Sequence, residues 1–284
     1  MTLLASRRCY QALNPLHTLV YFVPEAEAEY TAAGLRPGRM GYFASRSAAM
    51  GRVAGATVAA AFYNFNPALV ERHIPRAWGL AEPEQVLAAR LRVADRTMTR
   101  LLGAEALAAP AVAEAAELAV EAAGACGGEG RPLAAAHAAL PVPKAPHLAL
   151  WHAATVLREH RGDGHLAALV SAELDGIEAL VTHTVSGRGF RPEFALVSRG
   201  WSEDDWQAAV DRLRERGLLD GDGALTPAGT DLRRELEHQT DRLAHAPYRQ
   251  LGADGVERLA ELAAPIAAAV AAAGAFPAGI FAGG

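Results

Sequence analysis

The segment Trp201 to Thr230, WSEDDWQAAVDRLRERGLLDGDGALTPAGT, contains the strongest local signals for secondary structure in this 284-residue chain. Ser202 and Asp205 have the spacing of a helix-capping box, with Asp in place of the usual Glu or Gln. Apolar residues then recur at helical spacing as far as Gly217, a residue typical of the position after a helix. This pattern predicts a helix from about Glu203 to Arg216.

Two short apolar pieces follow, on either side of Asp220-Gly221-Asp222-Gly223. Asp-Gly steps between apolar residues are a signal for a β-hairpin. Thr226-Pro227 then combines a capping residue with proline at the first helical position, which predicts another long helix. The expected order is therefore helix, hairpin, helix.

This order resembles the winged-helix core of MarR-type regulators, over a region of about ninety residues from His152 to Leu243. The residues that carry the resemblance are Arg212-Leu213, Arg216-Gly217-Leu218 and Leu225-Thr226-Pro227-Ala228-Gly229. More loosely, the whole chain resembles an actinobacterial family of helix-turn-helix proteins described as SalK-like. That second resemblance rests on Pro15-Leu16-His17, Met40-Gly41-Tyr42-Phe43, Phe62-Tyr63-Asn64-Phe65 and His160-Arg161-Gly162-Asp163-Gly164-His165.

Composition favours a mainly helical protein without a membrane anchor. Apolar residues make up 51% of the chain, but much of that fraction is alanine, the best helix former. The net charge of −5 provides no general attraction to phosphate backbones. Cys9 and Cys126 match no disulfide framework, which favours a reducing cytoplasm. Leu259 to Phe276 is interrupted by Glu261 and Pro265, so we expect burial in a homodimer or a core rather than in a membrane.

Glycine and proline divide the chain into a helical N-terminal domain (1–123), a linker with a stiff turn (124–146) and a winged-helix domain with C-terminal helices (147–284). The predicted fold class is therefore mainly α, with a MarR-like winged helix and a short β-hairpin in the second half. Asn14-Pro15 and Asn66-Pro67 each predict the start of a helix.

Aromatic residues are concentrated at the start of the chain, where the first 80 positions hold ten of the eighteen. His17 and Tyr21, four residues apart, share a helix face. Such a cluster is typical either of an ordinary core or of a pocket for a small apolar or aromatic ligand. The pocket hypothesis names six lining residues: His17, Tyr21, Tyr42, Phe43, Tyr63 and His73.

The predicted recognition helix is poorly charged for DNA. Its outward face holds three acids: Asp204, Asp211 and Glu215. The candidate phosphate contacts lie on its flanks: Arg212, Arg214 and Arg216. Two functions therefore stay open. One is a dimeric, small-molecule-responsive transcriptional regulator that binds duplex DNA. The other is a scaffold that has lost DNA binding and serves as a ligand-binding protein or a biosynthetic enzyme.

No motif identifies a reaction, and no metal or cofactor is expected. His160 to His165 contains residue types found in metal and acid–base sites, but a third ligand at diagnostic spacing is missing from the sequence. A turn at Gly162-Asp163-Gly164, following a helix from about His147, explains the segment equally well. A haem ligand among His17, His73 or His183 is compatible with the sequence, although no CxxCH motif supports one.

Overall fold

The computed structural model describes residues 2–277 and 279. These residues form fourteen α-helices and three short 3₁₀ turns, so the prediction of a mainly α protein is confirmed. The helices are α1 (Leu3–Thr18), α2 (Pro24–Ala32), α3 (Arg39–Ser47), α4 (Gly55–Phe62), α5 (Pro67–Glu71), α6 (Pro83–Leu107), α7 (Pro110–Gly124), α8 (Pro132–Ala138), α9 (Pro146–Ser171), α10 (Gly176–Val185), α11 (Pro192–Arg199), α12 (Glu203–Glu215), α13 (Pro227–Leu243) and α14 (Ala246–Ala272). Many of them begin with proline, whose missing N–H would have no partner in a first turn.

The larger hydrophobic core joins the two ends of the chain. Helix α14 lies against α1 and α7, and α7 also packs on α9. Leu259, Ala263 and Val270 of α14 are completely buried in this core. The apolar C-terminal helix is thus covered within one chain, and the homodimer stays a prediction. In the described part of the chain, none of the helices is long and apolar enough to cross a membrane.

The smaller core is formed by the end of α9 together with α10, α12 and α13. Beside it, α11 and α12 are joined by Gly200-Trp201-Ser202, a connection typical of a helix-turn-helix. Gly200 adopts a φ of +74°, which favours glycine after a helix. Ser202 and Asp205 form the predicted capping box of α12.

The turn between α11 and α12 is anchored to the N-terminal half of the molecule. The indole N–H of Trp201 donates to the carbonyl of Asn64 at 2.9 Å. The backbone N–H of Asn66 donates to the carbonyl of Arg199, also at 2.9 Å. These two hydrogen bonds attach the helix-turn-helix to the loop between α4 and α5.

The predicted β-hairpin is wrong, and with it the winged helix, because the structure shows no strand in the residues that it describes. Leu219 and Leu225 form a single isolated bridge. The apolar piece on each side has only two residues, too few for a ladder. Between them, the Asp220 carboxylate accepts the backbone N–H groups of Asp222 and Ala224 at 2.9 and 3.0 Å, which closes a compact turn.

Two predicted helix boundaries are also wrong. Helix α1 is capped by Thr2 and contains Asn14-Pro15 in its interior. Helix α9 continues without a turn at Gly162 to Gly164. The glycine at 164 has a tertiary reason, because a Cβ there would lie 2.6 Å from Nη1 of Arg131. That arginine passes α9 to reach the backbone carbonyls of His160 and Leu243.

Candidate ligand-binding site

A cavity of about 590 Å³ lies between α11, the first helix of the helix-turn-helix, and helices α1 and α3. Its volume is in the range of small-molecule sites. Eight aromatic side chains line it: Tyr10, Tyr21, Phe22, Tyr42, Phe43, Phe65, Phe190 and Phe194. Neighbouring rings meet edge to face or tilted, with centroids 5.1 Å apart for Tyr21 and Tyr42 and 5.0 Å apart for Phe190 and Phe194.

This aromatic cavity brings together four of the six residues predicted for a pocket, namely His17, Tyr21, Tyr42 and Phe43. Tyr63 instead lines an adjoining polar cavity of about 240 Å³. The two cavities share Tyr42, Phe65, Arg158, His183 and Arg199. His73 lies outside both linings, with its ring stacked on Phe43 at a centroid distance of 5.4 Å.

Both ring nitrogens of His17 have hydrogen-bond partners. The Thr155 hydroxyl donates to the Trp151 carbonyl, so it accepts from Nδ1–H of His17, each at 3.0 Å. Nε2 then accepts from the Tyr21 hydroxyl at 3.2 Å, and that hydroxyl accepts from Nη2 of Arg90 at 2.9 Å. The chain of donors requires a neutral ring. Burial acts in the same direction and lowers the pKa of His17 well below 6.5.

Three arginines line the aromatic cavity: Arg39, Arg158 and Arg199. No carboxylate of the described chain joins them in that lining. Nη2 of Arg39 donates to the backbone carbonyl of Val197 at 2.9 Å. Nη1 of Arg158 contacts the carboxylate of Glu159 at 2.6 Å. The cavity therefore combines aromatic walls with positive charge.

Arg199 has no carboxylate within ion-pair distance in the described part of the chain. Its guanidinium lies 4.4 Å from the ring centroid of Phe65 and 5.1 Å from that of Phe190. Nη1 donates to Ser198, whereas the buried Nε lacks a hydrogen-bond partner among the described residues. Burial lowers the pKa of Arg199, as expected when a cation is desolvated without an anion beside it.

A buried ion pair lies beside the cavities. Nε and Nη2 of Arg46 each donate to Glu159 at 2.8 Å, and Arg158 contacts the same carboxylate. Burial alone would raise the pKa of Glu159, but Arg158 and Arg46 hold it well below 4.5. One glutamate offsets only one of two arginines, so this cluster keeps a net positive charge.

The arginines predicted to contact DNA are bound to other groups of the same chain. Arg212 contacts Asp175 and Glu178, each at 2.9 Å. Arg216 contacts Glu178 at 3.2 Å and two backbone carbonyls. Arg214 donates to two carbonyls in the turn after α12, at 3.0 and 2.8 Å. Meanwhile Asp204, Asp211 and Glu215 are exposed, so the outward face of α12 is acidic, as the sequence predicts.

The chain matches one known protein family over nearly its whole length. A model described as a helix-turn-helix family matches residues 6–277. The chain belongs to this helix-turn-helix family. Membership suggests a DNA-binding, regulator-like role, for which α11 and α12 provide the motif. No curated protein and no solved structure matches the chain.

In this helix-turn-helix protein, the segment His160 to His165 lies within α9, and its side chains bond to neighbouring helices. The Asp163 carboxylate accepts the backbone N–H groups of Leu133 and Ala134 at 3.1 and 2.9 Å, which caps α8 instead of a helix of its own. Nδ1 of His165 lies 2.8 Å from the hydroxyl of Thr240 in α13. In residues 2–277 and 279, no three His, Cys, Asp or Glu side chains are grouped as metal ligands.

The pocket hypothesis missed Arg39, Arg158, Arg199, Phe190 and Phe194. Phe190 precedes α11 and Phe194 lies in its first turns, so their ring contact at 5.0 Å does not follow from helical spacing. The arginines had no local signal either, because their place in the cavity depends on contacts between distant helices. For the haem hypothesis, two of the candidate histidines already have hydrogen-bond partners. A haem iron at Nε2 of His17 would displace the Tyr21 hydroxyl, and Nδ1 of His183 lies 3.1 Å from Nη2 of Arg233.

Proposed function

We propose that this helix-turn-helix protein is a ligand-responsive regulator whose aromatic cavity binds a small aromatic anion, such as an aromatic carboxylate. The observation that carries the proposal is the lining itself, eight aromatic rings with three arginines. Flat apolar molecules pack well against aromatic walls. A guanidinium that lacks an anion, as in Arg199, can donate two parallel hydrogen bonds to a carboxylate.

The position of the cavity supports a response to the ligand. Helix α11 provides Phe194, Val197 and Arg199 to one wall, and α1 and α3 provide the opposite wall. A ligand held between them favours arrangements in which α11 lies close to α1 and α3. Because α11 belongs to the helix-turn-helix, binding would shift the population of the states in which α12 meets DNA.

A second function is supported by the surroundings of α12. Arg212 and Arg216 would have to leave Asp175 and Glu178 before they could contact phosphate. This arrangement favours a ligand-binding protein that has lost DNA binding, with a biosynthetic enzyme as one form of it. The relation to MarR-type and SalK-like proteins stays a prediction.

Calorimetric titration with matched ligands tests the aromatic cavity. We expect 2-naphthoate to bind and neutral 2-naphthamide to bind at least about tenfold more weakly, a difference of about 1.4 kcal/mol. Arg199→Gln should weaken naphthoate binding by about tenfold and leave the amide almost unchanged. Arg234→Gln is the control, since Arg234 is an exposed residue paired with Asp231 on α13. Failure of naphthoate and benzoate to bind, or equal affinity of the Arg199 variant, would contradict the proposal.

A gel-shift assay distinguishes the two functions. The duplex would be the DNA upstream of the protein's own gene, with and without 2-naphthoate at saturation. A ligand-dependent change in DNA affinity supports the regulator. Binding of naphthoate with no shift of any duplex in either state supports the ligand-binding protein without DNA contact.

A further inference from the structure

A separate cavity, of about 310 Å³, lies among α6, α9 and the segment that follows α8. Its walls are mainly aliphatic: Leu87, Ala88, Leu91, Leu140, Pro141 and Pro143. It shares no lining residue with the aromatic cavity. The two are neighbours all the same, because Arg90 and Thr155 in the aliphatic cavity bind Tyr21 and His17 in the aromatic one.

Two buried donors in the lining of this aliphatic cavity lack partners. Arg90 is 1% exposed and Trp151 is 5% exposed. Nε of Arg90 and Nε1 of Trp151 have no hydrogen-bond partner among the described residues. A buried donor without a partner destabilises the protein, so an acceptor that reached both groups would gain from them.

Arg90 is also a buried cation without an ion pair in the described part of the chain. Its Nη2 donates to the Tyr21 hydroxyl at 2.9 Å and its Nη1 to Ser45 at 3.4 Å. Its Cζ lies 5.2 and 5.3 Å from the ring centroids of Tyr21 and Trp151. Buried arginines are normally paired with an anion. The only carboxylate in the described lining, that of Glu84, belongs to an exposed residue.

We propose that the aliphatic cavity is a second ligand site, which binds a short aliphatic carboxylate. The two unpartnered donors belong to side chains in contact, so the two oxygens of one carboxylate can accept from both. The leucine and proline walls suit a saturated chain of about six carbons. This site does not depend on the proposed aromatic-anion site.

Calorimetry with hexanoate, and with hexanol as the neutral match, tests this site on the full chain. Hexanoate should bind at least tenfold more tightly than hexanol. Trp151→Phe keeps a ring but removes the N–H donor, and should weaken hexanoate binding about fivefold. Leu91→Trp fills the cavity and should abolish binding. Trp206→Phe, which alters a residue of α12 outside this lining, is the matched control and should bind as the wild type does.

Three results would overturn the second site: no hexanoate binding at millimolar concentration, equal binding by hexanol, or unchanged binding in both Trp151→Phe and Leu91→Trp. Competition separates the two proposals. Hexanoate should bind equally well to Arg199→Gln and in the presence of saturating 2-naphthoate. Displacement of hexanoate by naphthoate would mean a single shared site and would overturn the second one, whereas loss of naphthoate binding alone would overturn only the first.

Discussion

The molecule contains two sets of three arginines in opposite surroundings. The set at the C-terminal end of α12 is neutralised, because Arg212, Arg214 and Arg216 each contact a carboxylate of the same chain. In the aromatic cavity, Arg158 shares its carboxylate with Arg46 and Arg199 has none in the described chain. The comparison teaches that the number of arginines on an element does not locate an anion site. The partners of each arginine do.

Removing the central carboxylate should have the largest effect. Glu159→Gln leaves Arg46 and Arg158 without their anion in a buried cluster. We expect the free energy of unfolding to fall by about 3–5 kcal/mol, measured by urea denaturation. Glu114→Gln is the matched control, because its ion pair with Arg258 lies at the surface, where solvent screens it, and should contribute far less. Similar losses in the two variants would mean that the interior cluster is no more dependent on pairing than the surface.

Low pH should lower the free energy of unfolding through a histidine beside the same buried cluster. His137 is buried, and Nε2 donates to the carbonyl of Arg46 at 3.1 Å. Burial lowers the pKa of His137 to about 4, whereas an unfolded histidine titrates near 6.5. The unfolded chain therefore binds more protons between these values, and stability is lost as pH falls from about 6.5 to about 4. The contribution is about 3 kcal/mol.

The measurement is the free energy of unfolding as a function of pH, compared between the wild type and His137→Gln. The glutamine amide can still donate to the Arg46 carbonyl but does not titrate. We expect a shallower dependence on pH in the variant over this window. Identical slopes would show that His137 does not change its protonation on unfolding.

The smallest of these effects is expected at the outward face of α12. The wild type should bind random duplex more weakly than the ~10⁻⁴ to 10⁻⁶ M typical at physiological salt. The triple variant Asp204→Asn, Asp211→Asn, Glu215→Gln should strengthen that binding about tenfold. Part of the gain comes from Arg214, which in the wild type contacts Asp211 at 3.1 Å and in the variant loses that anion. Fluorescence anisotropy at several salt concentrations measures the effect.

A variant with the same change in net charge elsewhere is the control for that experiment. Asp254→Asn, Glu257→Gln, Glu261→Gln alters exposed residues of α14, away from the helix-turn-helix. If both variants gain equally, overall charge and not the face of α12 determines the affinity. Micromolar binding by the wild type, with a steep salt dependence, would mean that another surface contacts DNA.

Local signals explain what could be predicted from the sequence. Helix starts at Pro67 and Pro227 were predictable because proline and capping residues act within one turn. Gly164 contributed to the wrong prediction of a turn, because this glycine leaves space for Arg131, a residue distant in the chain. The hairpin failed for a related reason. Turn residues predicted a reversal of the chain correctly, but paired strands need longer flanking segments.

The candidate site was predictable only in part. Clustered aromatic residues near the start of the chain indicated one wall, including His17 and Tyr21. The opposite wall comes from α11, and no local pattern connects Arg199 to that cluster. Likewise, Arg212 could be placed on the flank of a helix, but its partners Asp175 and Glu178 lie at the start of α10, more than thirty residues earlier. Dimerisation, location in the cell and the domain boundaries stay predictions.

The closure of the larger core by α1 and α14 has a consequence for synthesis. The ribosomal exit tunnel encloses the segment translated last, so residues 168–236, which form the smaller core, emerge while α14 is still inside the ribosome. The helix-turn-helix can therefore assemble first, while the apolar faces of α1 and α7 stay uncovered until Leu259, Ala263 and Val270 pack on them. A nascent chain that stalls before α14 has emerged would carry a formed α12 beside uncovered apolar faces of α1 and α7, and would be a target for chaperones and proteases.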